Sequence, residues 1–132
     1  GVVATAPDRD SLRRAAEQLR YRVAFYGSTR SYRGVLSTHG LDDLGDKLHR
    51  MSVEGKWAEM PGEVSDEVLG LFAAIAPYDG IAAAIEERFG GLSDSVGIGF
   101  PADAPAAQVR EVLADVRRIP TLFETFRTDW RD

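Results

Sequence analysis

Three short apolar runs, set between segments of helical spacing, constrain the fold of this chain most. "GVVAT" (Gly1–Thr5) is β-branched and closed by Pro7, as a buried strand would be. "LFAAIA" (Leu71–Ala76) starts in helical phase and turns into a second strand; "SVGIGF" (Ser95–Phe100) reads as a third. The order β, long helical region, β, α, β, α predicts parallel strands with right-handed crossovers. Three parallel strands are few for a sheet buried on both faces, and they leave open edges. A chain that also starts directly in a strand predicts a piece of a larger α/β protein, the end of a (β/α)8 TIM-like barrel.

The helical segments have readable boundaries. Asp8 or Asp10 can cap a helix over Ser11–Phe25, with Leu12, Ala15, Ala16, Leu19, Val23 and Tyr26 as its apolar stripe. Gly27 suits the left-handed position after it, and Ser28 or Thr29 can cap a second helix carrying Tyr32, Val35 and Leu36. Gly40 ends that helix, and Leu41, Leu44, Leu48 and Met51 mark a third. "SVEGKWAEM" and "SDEVLGLF" read as two short helices, the second capped by Ser65. Helices are predicted over Tyr78–Phe89 and Pro105 to about Arg118, the latter capped by Asp103, with a last one in "TLFETFRTDW".

Composition excludes several classes. There is no cysteine, hence no disulfide, thiolate nucleophile or Cys-based metal site, which fits a reducing, cytoplasmic setting. No apolar run approaches the ~18 residues of a membrane span, and the first residues do not resemble a signal peptide. A net charge of −5 argues against nucleic acid. The charge is uneven: residues 1–33 hold seven Arg against Asp8, Asp10 and Glu17, so a basic first quarter precedes an acidic remainder. No metal-ligand spacing, nucleophile elbow or P-loop occurs.

The stretch "RYRVAFYGSTRSYRGVLSTHG" holds most candidate site residues. Ser28, Thr29, Arg30 and Arg33 could hold phosphate or carboxylate through hydroxyls, helix N-terminal amides and guanidinium forks, or be a helix cap beside exposed arginines. Tyr26 continues the apolar stripe and can pack in the core. His39, at a helix end, can interact with the helix dipole or act as a general acid or base. His49 lies beside the Leu44–Leu48–Met51 stripe at the surface or core edge. Trp57 reads as a buried anchor or as a ring that stacks on a cofactor. Adjacent carboxylates such as Asp42-Asp43, Asp66-Glu67 and Glu86-Glu87 point apart on helices and make poor acid/base pairs.

Four segments, "YRVAFYGSTRSYRGVLSTHG", "DLGDKLHRMSVEGKWAEM", "VSDEVLGLFAAIA" and "IEERFGGLSDSVGI", resemble in order and spacing the C-terminal part of the luciferase-like oxidoreductases (the luciferase-like monooxygenase family), especially the branch using coenzyme F420. The resemblance covers roughly residues 2 to 118. It implies that residues 1–132 are the C-terminal portion of a luciferase-like barrel, with residues 26–70 as a helical insertion within it. It also implies hydride transfer between F420, or FMN in relatives, and a small organic substrate, by a parent protein of which this portion alone is inactive. Chemistry would sit at the strand ends Thr5–Pro7, Ala76–Tyr78 and Phe100–Ala102. On this reading Ser28, Thr29 and Arg33 are cofactor-binding candidates, Tyr26, Arg30 and Tyr78 substrate-binding candidates, and His39 the catalytic candidate. Arg30 and Gly34 stand where the family has Pro, and Ala76-Pro77-Tyr78 where it has Gly-Thr-Pro. The alternative is a non-enzymatic α/β module that self-associates, as a homo-oligomer, or binds a partner through exposed strand edges.

Overall fold

The structure is a computed structural model, and it describes residues 2–93 and 95–121. Among the described residues, two strands and six α-helices follow in the order β1 (Val2–Ala4), α1 (Arg9–Gly27), α2 (Arg33–Thr38), α3 (Asp42–Val53), α4 (Asp66–Phe72), β2 (Ala73–Ile75), α5 (Ile81–Phe89) and α6 (Ala106–Val116). Single 3-10 turns lie at Arg30–Tyr32 and Met60–Glu63. The chain divides into two compact units: a helical unit, Arg13–Ala73, and a strand-bearing unit made of the residues up to Leu12 and those from Ala74 onward.

The barrel-end expectation is overturned. The described chain is mostly helical and has two short strands in one sheet, where three were expected. Those two run parallel: the Ala76 amide bonds the Ala4 carbonyl and the Tyr78 amide bonds that of Ala6, donor and acceptor advancing together. Residues 95–100 form no strand. Val96, Ile98 and Phe100 do turn to the core while Gly97 and Gly99 are exposed, so the period-2 facing is present without the ladder. The physical reason is the two glycines, which have no side chain to pack on the outer face and the largest backbone entropy to lose. The last predicted helix, in "TLFETFRTDW", lies outside the described residues.

In the strand-bearing unit, Val3, Ala74, Ile81, Ile85 and Val112 form the core. In the helical unit, Leu19, Leu36, Leu48, Met60, Val64 and Leu69 are buried. Local chemistry sets several helix ends. Asp8 caps α1, accepting from the amides of Asp10 (3.0 Å) and Ser11 (2.9 Å). Ser65 caps α4 by accepting from the Val68 amide. α2 and α3 both end in Schellman motifs, with Gly40 and Gly55 at φ +67° and +75° and the amides of Leu41 and Lys56 reaching back to the carbonyls of Leu36 and Met51. Gly55 therefore stops α3 where a further helix through "SVEGKWAEM" was expected, leaving turns as far as the Met60 3-10 turn. Gly27, expected in a left-handed turn, instead lies inside α1, where a Cβ would come within 3.1 Å of Leu48 Cδ1. It is a close-packing residue rather than a stop signal.

Pro77 has no hydroxyl to cap α5, and the helix starts late, at Ile81 with Gly80 as its N-cap and no side-chain cap. α6 likewise starts at Ala106 without a side-chain cap from Asp103. Among the described residues, no helix is long and apolar enough to cross a membrane.

Candidate functional site

The strand-bearing unit has an opening beyond the carboxyl ends of the parallel strands. The bonds from the Ala76 and Tyr78 amides, both 3.2 Å, hold Ala6–Pro7 beside Ala76–Tyr78 after the strands themselves have ended. The chain then leaves for α1 on one side and α5 on the other, and α6 completes the wall. The result is a cavity of about 700 Å³. Pro7, Leu12, Tyr78 and Val112 are its apolar lining; Arg9, Asp79, Gln108 and Glu111 are among its polar lining. Two further carboxylates at its edge are already engaged: Asp8 in capping α1 and Asp115 in a pair with Arg118.

Tyr78 contributes its ring, which also packs against Phe100 at 5.9 Å. Its hydroxyl is fully buried and has no hydrogen-bond partner among the described residues, and the same holds for the Thr5 hydroxyl. Burial pushes the Tyr78 phenol above its ordinary pKa, and the charge of Asp103 adds to this, so the phenol stays neutral. Among the described residues no group of three or more His, Asp or Glu side chains could hold a metal ion. This geometry suits an organic ligand held by apolar contact and oriented by a few polar groups.

The remaining nominated residues belong to the helical unit, and most are engaged locally. Ser28 is buried at 4% exposure, and its hydroxyl donates to the Phe25 carbonyl at 2.7 Å. The Thr29 hydroxyl does the same to Tyr26 at 2.8 Å. Both therefore serve the carbonyls at the end of α1; neither caps the next helix. The Ser28 carbonyl in turn accepts from His49 Nδ1 at 3.0 Å, which sets the tautomer of that ring. Arg33 pairs with Asp46. His39 ends α2, its backbone amide on the Leu36 carbonyl and its ring edge-on to Phe72 at 5.3 Å. Arg30 is exposed and forms no ion pair among the described residues. Tyr26, expected to continue the buried stripe, is 44% exposed. So the structure gathers Tyr26, Ser28 and Thr29 at one helix end, but commits both hydroxyl donors and one of the two arginines to the protein itself.

Sequence reasoning missed the long-range partners of Arg20. Its guanidinium bonds the buried Val64 carbonyl, Asp66 and Glu17. Burial works against its charge, but the bonds to Asp66 and Glu17 outweigh this and raise its pKa. It also missed a row of rings. Trp57 lies 5.9 Å from Phe25, Phe25 5.6 Å from Tyr26, and Tyr26 5.1 Å from Tyr32, between ring centroids. One signal was available for it: Phe25 stands out of phase with the Leu12–Leu19–Val23 stripe of its own helix.

No family model matches the chain. It is 43% identical over 119 residues to the uncharacterized protein Rv1360 of Mycobacterium tuberculosis, and equally to the uncharacterized protein Mb1395 of Mycobacterium bovis. Each match covers 89% of this chain and 34% of the relative, so the chain spans about a third of the length of the curated relatives it matches. No solved structure matches it.

Proposed function

We propose that this chain is part of a luciferase-like oxidoreductase that transfers hydride between coenzyme F420, or alternatively FMN, and an organic substrate. The observation that carries the reading is the cavity of about 700 Å³ beyond the carboxyl ends of β1 and β2, where parallel strands present ligand sites. The sequence resemblance puts the chemistry at these same strand ends, Thr5–Pro7 and Ala76–Tyr78. The proposal concerns activity and not barrel architecture, since the third strand is missing.

The residues present fit a ring system better than an anionic tail. Pro7, Leu12, Tyr78 and Val112 give a tricyclic ring apolar walls, and Gln108 offers a neutral polar contact. Asp79 and Glu111 oppose phosphate or carboxylate groups, so a charged tail would lie away from α6 and toward Arg9, the one cation in the lining among the described residues. The cofactor, when bound, supplies the hydride chemistry. The chain's part is to position the ring and to keep water from one of its faces. The edge-pairing alternative rests on strands of three residues each, which offer a partner few hydrogen bonds. The oxidoreductase reading is preferred for that reason.

The test is a fluorescence titration of F420 and FMN into the longer Mycobacterium tuberculosis relative and into this chain. Saturable binding of one of them to the relative, abolished by placing a carboxylate at its counterpart of Val112, is the expected result. Absence of binding by both cofactors to the relative would overturn the proposal.

A further inference from the structure

Resting on the reading above for the kind of ligand, we infer that Tyr78 is the residue that recognises it: the side chain turns into the cavity and its phenol donates a hydrogen bond to a neutral carbonyl or ring nitrogen. The Tyr78 ring is part of the cavity wall, beside Pro77 and Asp79. It packs on the core cluster and against Phe100 at 5.9 Å. Its hydroxyl is shut away from solvent and has no hydrogen-bond partner among the described residues. A hydroxyl buried in this way gives up its bonds to water and gains none in return. The resting rotamer is therefore a costly one, and a residue of the wall can leave it by rotation about its side-chain torsions.

The chemistry of the phenol indicates what it meets. Burial, and then the charge of Asp103, keep it protonated, yet no hydrogen bond joins it to Asp103. It therefore enters the cavity as a donor. Asp79 and Glu111 hold anionic groups away, so the acceptor is neutral. Gln108, on α6, can bond the same ring system through its amide. A heteroaromatic ring with a carbonyl edge meets all of these conditions. Thr5 provides the internal comparison, since its hydroxyl is also buried without a partner among the described residues. The bonds from Ala76 to Ala4 and from Tyr78 to Ala6 set Thr5 opposite Ala76, on the sheet face of Val3 and Ala74. Thr5 is not among the described residues of the cavity wall. It bears the same cost without a route to the ligand.

The test sets Tyr78→Phe beside Thr5→Val in this chain. In thermal melts at neutral pH without ligand, both variants should melt at or above the temperature of the unsubstituted chain. In fluorescence titrations of FMN and of F420, Tyr78→Phe should raise the dissociation constant about five- to tenfold, the worth of one hydrogen bond. Thr5→Val should leave it unchanged. With tyrosine labelled at 13Cζ, the Tyr78 resonance should move toward that of a hydrogen-bonded phenol as cofactor is added. A lower melting temperature for Tyr78→Phe overturns the inference, because the hydroxyl then has a partner in the unliganded chain. So does an unchanged dissociation constant, a static 13Cζ resonance, or equal weakening by Thr5→Val. If this chain binds neither cofactor while the longer Mycobacterium tuberculosis relative binds one, the inference falls and the redox reading stands. If the relative binds neither, the redox reading falls and takes the inference with it.

Discussion

The helical unit and the strand-bearing unit use glycine for opposite ends. In the first, Gly27 and Gly45 are buried where helices approach: an added Cβ would meet Leu48 Cδ1 at 3.1 Å in one case and Leu36 Cδ1 at 2.9 Å in the other. In the second, Gly97 and Gly99 have nothing within 4 Å of where a Cβ would stand. The missing side chain of the helical unit is filled space. That of the segment 95–100 is an absent outer face, and with it an absent strand. One residue type tightens packing in one region and withholds regular structure in the other, and only its neighbours decide which.

The strongest way to probe that contrast is to hollow each core. Leu48→Ala and Ile81→Ala remove side chains that are 1% and 0% exposed, and each should cost about 2–5 kcal/mol in denaturant unfolding. A much smaller loss at Ile81 would mean that the strand-bearing core is loosely packed. The glycines come next. Gly45→Ala should gain less than the ~1 kcal/mol that Ala ordinarily gains over Gly in a helix, because its Cβ presses on Leu36, whereas Gly97→Ala and Gly99→Ala should stabilise by ~0.4–1 kcal/mol by restricting the unfolded chain. Equal responses at the two kinds of site would break the comparison.

The smallest effect lies at Tyr78. Its phenol pKa is raised by burial and then by Asp103, so the folded state favours the neutral form. Stability from this group is therefore intact below the ordinary tyrosine value of 10.0 and is lost as pH rises through the higher folded value. Tyr78→Phe should remove that alkaline loss from thermal melts while costing nothing at neutral pH, since the hydroxyl makes no hydrogen bond among the described residues.

Some helix boundaries were legible because they are set locally, while the fold class was not. The Asp8 and Ser65 caps, the Gly40 stop and the α3 stripe of Leu44, Leu48 and Met51 each depend on residues within a turn or two of one another. The site was legible only in part. Tyr78 was nominated and does line the cavity, but Asp79, Glu111 and Val112 enter it through the packing of α5 and α6, which spacing alone does not reveal. Ser28 and Thr29 offered hydroxyls to a ligand on paper, and which acceptor they reach, here the carbonyls of α1, is settled only once the helix end is built. Arg20 and Asp66 are 46 residues apart, and no periodicity joins them.

By itself, the amino-acid order determined the Asp8 and Ser65 caps, the Gly40 stop, the inward stripe of α3, and which chemistries are excluded for want of cysteine. These follow from capping bonds, backbone preferences and the 3.6-residue period, all short-range. The tertiary structure decided that "SVGIGF" packs without pairing, that Gly27 is a contact and not a turn, and that the rings of Phe25, Tyr26, Tyr32 and Trp57 stay exposed. Each of those depends on whether a neighbour distant in sequence arrives to supply a hydrogen-bond ladder, a leucine or a covering surface, and that is a property of the assembled chain.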